Sequence, residues 1–173
     1  MSTIVSHAAV PIALSACFPD GILSPEVVLL GVACSMIPDL DALGFAFGVR
    51  YGDPWGHRGM THSISFALCL GALSMAVLPG EHKSWPVFVF LFLSSLSHPV
   101  IDALTDGGLG VALFAPFSNK RYFFAWRPLA VPPIGIYAFF SARGWLVLKS
   151  EMRWIWLPSA LLFGVARVVK ALL

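Results

Sequence analysis

SWPVFVFLFLSSLSHPVID, residues 84–102, runs from Ser84 to Ile101 without a single Asp, Glu, Lys or Arg and closes on His98 and Asp102. An uncharged run of roughly 18 residues suggests a helix that crosses a bilayer. Working outward, Ser2–Pro19 and Gly59–Gly80 reach the same length, and Val27–Pro38, Pro128–Ala142 and Trp154–Ala166 are shorter versions of it. Of the 173 residues, 58% are hydrophobic and 12% charged, with a mean hydropathy of +0.82. A soluble domain carries about one-quarter charged residues, so the solvent for most of this surface is lipid.

The fold expected is all-α: a polytopic membrane helical bundle of about five to six segments in one domain, 1–173. Six segments are read at about 3–17, 25–38, 62–79, 85–104, 129–142 and 153–171. Pro19-Asp20-Gly21 and Pro79-Gly80-Glu81 are turn signals. Pro11, Pro132 and Pro133 interrupt their segments, and Trp85, Trp145, Trp154 and Trp156 fall where an aromatic belt would place them. No Lys or Arg precedes the first apolar stretch, which argues against a removed signal peptide. Cys17, Cys34 and Cys69 lie in apolar stretches without close pairing and carry no redox inference. The net charge of +2 is too small, and its bases too scattered, to expect a nucleic-acid partner.

Four of the five histidines, His7, His57, His62 and His98, lie in or against apolar segments, and His82 sits in a polar turn. Near the four come Asp39 and Asp41, two residues apart, and Asp102, one helical turn after His98. An i,i+4 spacing puts His98 and Asp102 on one helix face, while an extended segment would put both Asp39 and Asp41 on one side. Thr61 is available as an N-cap for the third helix.

If the helices alternate in direction, the start of the first, the end of the second, the start of the third and the end of the fourth share one membrane face. Those are the places of His7, of Asp39 with Asp41, of His57 with His62, and of His98 with Asp102. Burying imidazoles and carboxylates there is costly without a strong partner, and a divalent cation is a sufficient one. Mixed imidazole and carboxylate donors suit zinc first, and manganese or iron next; seven donors exceed the needs of one ion, so one or two ions are expected.

Each residue alone also fits a plainer role. A histidine can be a packing residue, an aspartate a cap, and Arg58 or Arg121 a juxtamembrane charge instead of a fork for an anionic head group. Gly107-Gly108 fits a plain turn or a close backbone approach to a ligand. The long connections 39–61 and 105–127 are candidates for covering a site. Counting Arg50, Arg58, Lys120, Arg121, Arg127, Arg167 and Lys170 on the site face against Lys83, Arg143, Lys149 and Arg153 favours a cytoplasmic site.

At these residues the sequence resembles the YdjM-like inner-membrane proteins, described as LexA-regulated, membrane-bound metal-dependent hydrolases. The resemblance covers nearly the whole chain. It rests on Ser6-His7-Ala8-Ala9, Ile37-Pro38-Asp39-Leu40-Asp41, Ser97-His98 through Asp102, Pro116-Phe117-Ser118 with Arg121-Tyr122-Phe123, and above all His57-Arg58-Gly59-Met60-Thr61-His62-Ser63. It implies a multi-pass protein of the bacterial inner membrane and a hydrolase activity. The His98 and Asp102 pair is also similar to one in the zinc-dependent phospholipase C and P1 nuclease group, whose N-terminal Trp and further downstream His ligands this chain lacks.

The function expected is hydrolysis of a lipid phosphoester or related ester at the membrane face. His7, Asp39, His57, His62, His98 and Asp102 are the expected ligands, Asp41 is a ligand or general base, and Arg58 and Arg121 hold an anionic head group. A metal or proton transporter would string its donors across the membrane, and a structural metal would close its coordination shell.

Overall fold

The computed structural model describes residues 2–132 and 140–173, and every element named here lies among them. In chain order these are α1 (Ile4–His7), α2 (Ala9–Ser15), α3 (Pro25–Met36) continued by a 3-10 helix over Ile37–Phe47, α4 (Ile64–Val77) and α5 (Trp85–Ala103). They are followed by α6 (Ala142–Glu151), a π turn over Met152–Trp156, and α7 (Leu157–Leu172). The described residues form no named strand, only isolated bridges between Thr105 and Leu129 and between Val111 and Tyr122.

Among the described residues, three stretches are long and apolar enough to cross a membrane: Pro25–Phe47, Trp85–Ala103 and Ala142–Leu172. Ile4–Ser15 and Ile64–Val77 are apolar but shorter. At 1.5 Å per residue the 14 residues of α4 reach about 21 Å, short of the roughly 30 Å of a hydrocarbon core.

Local chemistry sets the boundaries. The Ser24 side chain accepts from the Val27 amide with Pro25 at the first helical position, and Ser63 accepts from the Phe66 amide at 3.0 Å to start α4. Thr61, expected as that cap, instead gives its hydroxyl to Asp41. The first segment breaks between His7 and Ala9, one turn before Pro11, which has no N–H to return to the His7 carbonyl.

Two expected boundaries move. Residues 129–132 of the fifth expected helix are not helical, and Leu129 pairs with Thr105; residues 133–139 of that segment, Pro133 included, lie outside the described residues. The last segment begins at Ala142 instead of 153, because Arg143, Lys149, Glu151 and Arg153 sit inside one continuous helix. Charge stops a hydropathy run but does not stop a helix, since Lys, Glu and Arg are good helix formers.

The core packs α3, α4 and α5 together around Val27, Cys34, Val87, Phe90 and Leu91. Gly31 lets α5 approach, since a Cβ there would lie 2.4 Å from the Phe90 ring. α3 and α5 run toward one end of the bundle, and α4 starts from it, so His62, Asp39, His98 and Asp102 meet there. α7 packs along α2 and finishes at the opposite end, where Lys170 donates to Asp20 at 3.1 Å and to the Phe18 carbonyl.

This arrangement redistributes the basic residues. Arg167 and Lys170 pair with Asp20 at the end away from the cluster. Arg143 meets Asp106, just past α5, and Lys149 and Arg153 flank Glu151, which binds Thr3 and Ser6 beside the cluster. The site end therefore carries Arg50, Arg58, Lys120, Arg121, Arg127, Arg143, Lys149 and Arg153, against Lys83, Arg167 and Lys170. By the positive-inside rule this balance predicts a site end that faces the cytoplasm. In a cysteine-free background, His82→Cys is expected to react with a membrane-impermeant maleimide applied to intact cells, and Asn119→Cys to stay protected until lysis. Labelling at position 119 alone would reverse the orientation.

Candidate metal centre

The cluster is assembled where the 3-10 helix follows α3, the turn Met60–His62 precedes α4, and the last turn of α5 passes between them. Asp39 and Asp41 are not on one side of an extended strand. With about three residues per turn, a 3-10 helix sets residues two apart about 240° from each other. The two carboxylates therefore splay, and each meets a different nitrogen of His62.

Four side-chain atoms converge: His62 Nε2, His98 Nε2, Asp39 Oδ1 and Asp102 Oδ2. The imidazole nitrogens are 3.0 Å apart. Asp39 Oδ1 lies 3.4 Å from His98 and 3.7 Å from His62, and Asp102 Oδ2 lies 3.5 Å from His62 and 4.0 Å from His98. Bonds of about 2.0–2.1 Å around a tetrahedral ion place ligand atoms about 3.3–3.4 Å apart, in the middle of these separations. All four residues are buried.

Hydrogen bonds fix what the two imidazoles present. His98 Nδ1 is 2.7 Å from the Ser35 carbonyl, which can only accept, so the ring donates there and a neutral His98 turns a lone pair inward at Nε2. His62 Nδ1 lies 3.0 Å from the Thr61 hydroxyl, which gives its own proton to Asp41 and so accepts here, and 3.1 Å from Asp41 Oδ2, with the same result. Two lone pairs 3.0 Å apart, facing carboxylate oxygens, repel one another unless a cation or an added proton lies between them. Asp39 sharpens the point: both of its oxygens are buried and accept no hydrogen bond among the described residues. Among the described residues of the cluster, the carboxylates of Asp39, Asp41 and Asp102 outnumber the guanidinium of Arg58, an excess of negative charge that a divalent cation would offset. The donor set, its orientation and its charge all fit such an ion.

The remaining predicted residues stand around this set. Asp41 Oδ1 accepts from His57 Nδ1 at 2.7 Å, while Oδ2 accepts from the Thr61 hydroxyl at 2.6 Å and the Arg58 amide at 3.2 Å. His57 Nε2 is buried without a hydrogen-bond partner among the described residues. His7 stacks on His98 with ring centroids 3.7 Å apart, and its Nε2 meets the Ser2 hydroxyl at 2.8 Å. His7 and His57 thus stand beside the four converging atoms and not among them.

Arg58 departs from its expected role. It is fully buried at a left-handed φ of 63° and donates Nε to Asp102 at 3.0 Å, one terminal nitrogen to the Gly107 carbonyl and the other to the Thr105 hydroxyl, both at 2.9 Å. No face of it is left for a head group. Gly108, at φ +88°, packs on it instead of on a ligand, for a Cβ there would lie 3.0 Å from the guanidinium and 2.7 Å from the Tyr51 hydroxyl. Arg121 donates to the carbonyls of His57 and Tyr51 at 2.9 and 3.0 Å and fastens the loop that carries the His57-Arg58 pair. Burial pushes the Tyr51 phenol up and the Arg121 guanidinium down from their ordinary values.

Sequence reasoning did not find Ser2, whose amide donates to Asp102 Oδ1 at 3.0 Å, nor Ser35, Thr105 or Glu151. None of them carried a clear signal, and Glu151 fell in the charged connection between the last two expected helices.

The family model described as YdjM inner membrane protein matches residues 1–172. The Escherichia coli (strain K12) protein named Inner membrane protein YbcI is 36% identical over 170 residues, which cover 95% of this chain and 96% of that protein. No solved structure matches.

Arg58→Ala leaves Asp102 buried without its guanidinium, and breaking a buried pair from one side costs about 3–5 kcal/mol. Thermal unfolding in detergent should show a marked fall in Tm, larger than for Arg50→Ala, whose ion pair is exposed. Equal melting of the two variants would contradict the role given to Arg58.

Proposed function

With the chain belonging to the YdjM inner membrane protein family, and so to the inner membrane, we propose that it is a membrane-bound metal-dependent hydrolase acting on a lipid phosphoester or a related ester. The observation that carries this reading is the convergence of Asp39, His62, His98 and Asp102 with both imidazoles turned inward. These four would hold the ion, zinc before manganese or iron. When bound, it supplies a Lewis acid and lowers the pKa of a water molecule. One ion is favoured over two. The second group, Asp41, His57 and His62, shares His62 with the first, and its 2.7 Å contact is a hydrogen bond, shorter than the separation of two ligands on one ion.

The chain's own residues then have distinct tasks. Asp41 and the Ser35 carbonyl hold the ligand rings, a kind of support that commonly decides metal affinity. Asp41 is saturated by its hydrogen bonds, and the proton-transfer role passes to His57, whose Nδ1 it holds and whose Nε2 has no partner among the described residues. Arg58 neutralises Asp102 and ties the loop after α5 to the cluster. In the polytopic bundle we envisage, Leu40, Leu43, Phe45 and Phe47 on the 3-10 helix and Trp55 and Phe117 on the loops are exposed at the site end, where apolar and aromatic side chains enter the head-group region. That placement supports a lipid as the substrate.

One observation favours a second reading. All four converging residues are buried, as they would be around a structural ion with a closed shell. Transport has less support, because the donors gather at one end of the bundle and do not run through it.

Protein in phospholipid vesicles is expected to release phosphate or a head group when zinc or manganese is supplied, and His98→Ala to abolish this together with metal retention. His57→Ala should keep the metal and lower kcat by about 10²–10⁴-fold, the range of a lost general acid or base. Metal-replete protein inert on a broad lipid-ester and phosphoester panel, yet destabilised by a chelator, would establish the structural ion in place of the hydrolase.

A further inference from the structure

Glu151 is buried to 1% exposure in the middle of the long helix Ala142–Leu172, and no task assigned so far uses it. A carboxylate in such a place is costly unless its lone pairs are occupied. Its partners all come from the other end of the sequence. Oε1 accepts from the Thr3 amide at 2.5 Å, and Oε2 from the Thr3 and Ser6 hydroxyls at 2.6 and 2.7 Å. Trp156 Nε1 donates to the same Ser6 hydroxyl at 2.9 Å.

The π turn over Met152–Trp156 makes this double grip available. Residues five apart on an α-helix point about 140° away from each other, and the i→i+5 repeat of a π turn brings them back toward one face. Glu151 and Trp156 can then reach a single serine.

The segment they hold is the one that covers the candidate metal centre. Between and beside Thr3 and Ser6 lie Ser2, whose amide donates to Asp102 Oδ1, and His7, whose ring stacks on His98. Ser2 and His7 are also bonded to each other at 2.8 Å. Residues 2–7 thus form a short strap, tied at Glu151 and resting on two of the four converging residues. We propose that Glu151 is a positioning residue, which orients Asp102 and His98 through this strap without touching the ion or the substrate. The inference rests on the reading that Asp39, His62, His98 and Asp102 hold a metal.

The test uses full-length protein in detergent, with zinc retention measured by chelator competition and the geometry read from the visible spectrum of the cobalt(II)-substituted protein. Glu151→Ala is expected to weaken zinc retention by about 10–100-fold, the effect typical of residues that orient ligands, and to alter the cobalt spectrum. Glu151→Gln should stay close to the unmodified protein, because its carbonyl still accepts from Thr3 and the hydroxyls can turn to accept from its amide. Ser6→Ala with Thr3→Val removes the two hydroxyl bonds from the strap side, leaves the bond from the main-chain amide of residue 3, and keeps Glu151; it should shift the cobalt spectrum in the same direction as Glu151→Ala and weaken zinc retention, and it decides the matter if Glu151→Ala does not fold. Folded Glu151→Ala, or folded Ser6→Ala with Thr3→Val, that holds zinc as tightly as the unmodified protein, with an unchanged cobalt spectrum, would overturn the positioning role while leaving the metal reading intact, provided Asp102→Ala still loses zinc. Unmodified protein that retains no metal would overturn the reading beneath it.

Discussion

Everything at the site end of this bundle answers to one electrostatic constraint: three carboxylates, Asp39, Asp41 and Asp102, are sealed from water with one guanidinium among them. Burying a charge is among the most expensive things a fold can do, and the chain responds by giving each carboxylate a different kind of relief. Asp41 is saturated by hydrogen bonds from His57, Thr61 and the Arg58 amide. Asp102 takes Arg58 and the Ser2 amide. Asp39 receives no hydrogen bond from the described residues and faces imidazole nitrogens, so the burden that remains is concentrated where the four donor atoms meet.

His62 joins these environments because an imidazole has two nitrogens on opposite sides of one rigid ring. Asp41 holds one of them and the converging set uses the other. The splay of Asp39 and Asp41 on the 3-10 helix is what makes this possible; had both carboxylates lain on one face, they would have competed for the same side of the ring. The same economy recurs at His98, where a main-chain carbonyl from α3 does the work that a carboxylate does at His62. The ligand rings are therefore aimed by groups from other helices, and the packing of α3, α4 and α5 and the geometry of the centre are one problem.

The long last helix shows how charged residues mislead a reading by hydropathy. Arg143, Lys149, Glu151 and Arg153 look like a polar turn between two spans, yet they lie on a continuous helix at the level of the cluster and its loops. The helix bends its register once, at the π turn ahead of Pro158, a residue that cannot return a hydrogen bond to the carbonyl one turn earlier. Moving these residues to the site end also moves the charge balance of the two membrane faces.

The sequence by itself determined the apolar helices, the loops that crowd the site, and the residue types gathered there. Uncharged runs of spanning length admit few other structures in lipid, and a His or Asp at the end of such a run has little to do except meet its own kind. Alternation of helix direction was enough to bring His7, Asp39, His62, His98 and Asp102 to one end. Only the tertiary structure decided which atoms converge and which stand behind them: His57 and His7 outside the set, Arg58 spent on Asp102, Arg121 on loop carbonyls, and Thr61 on Asp41 instead of a helix cap. The reason is that these assignments depend on distances of a few tenths of an ångström between side chains on different elements. Local propensity carries no information about such distances. It carries none, either, about Ser35, which acts through a carbonyl that every residue possesses, or about a glutamate whose partners lie 145 and 148 residues away.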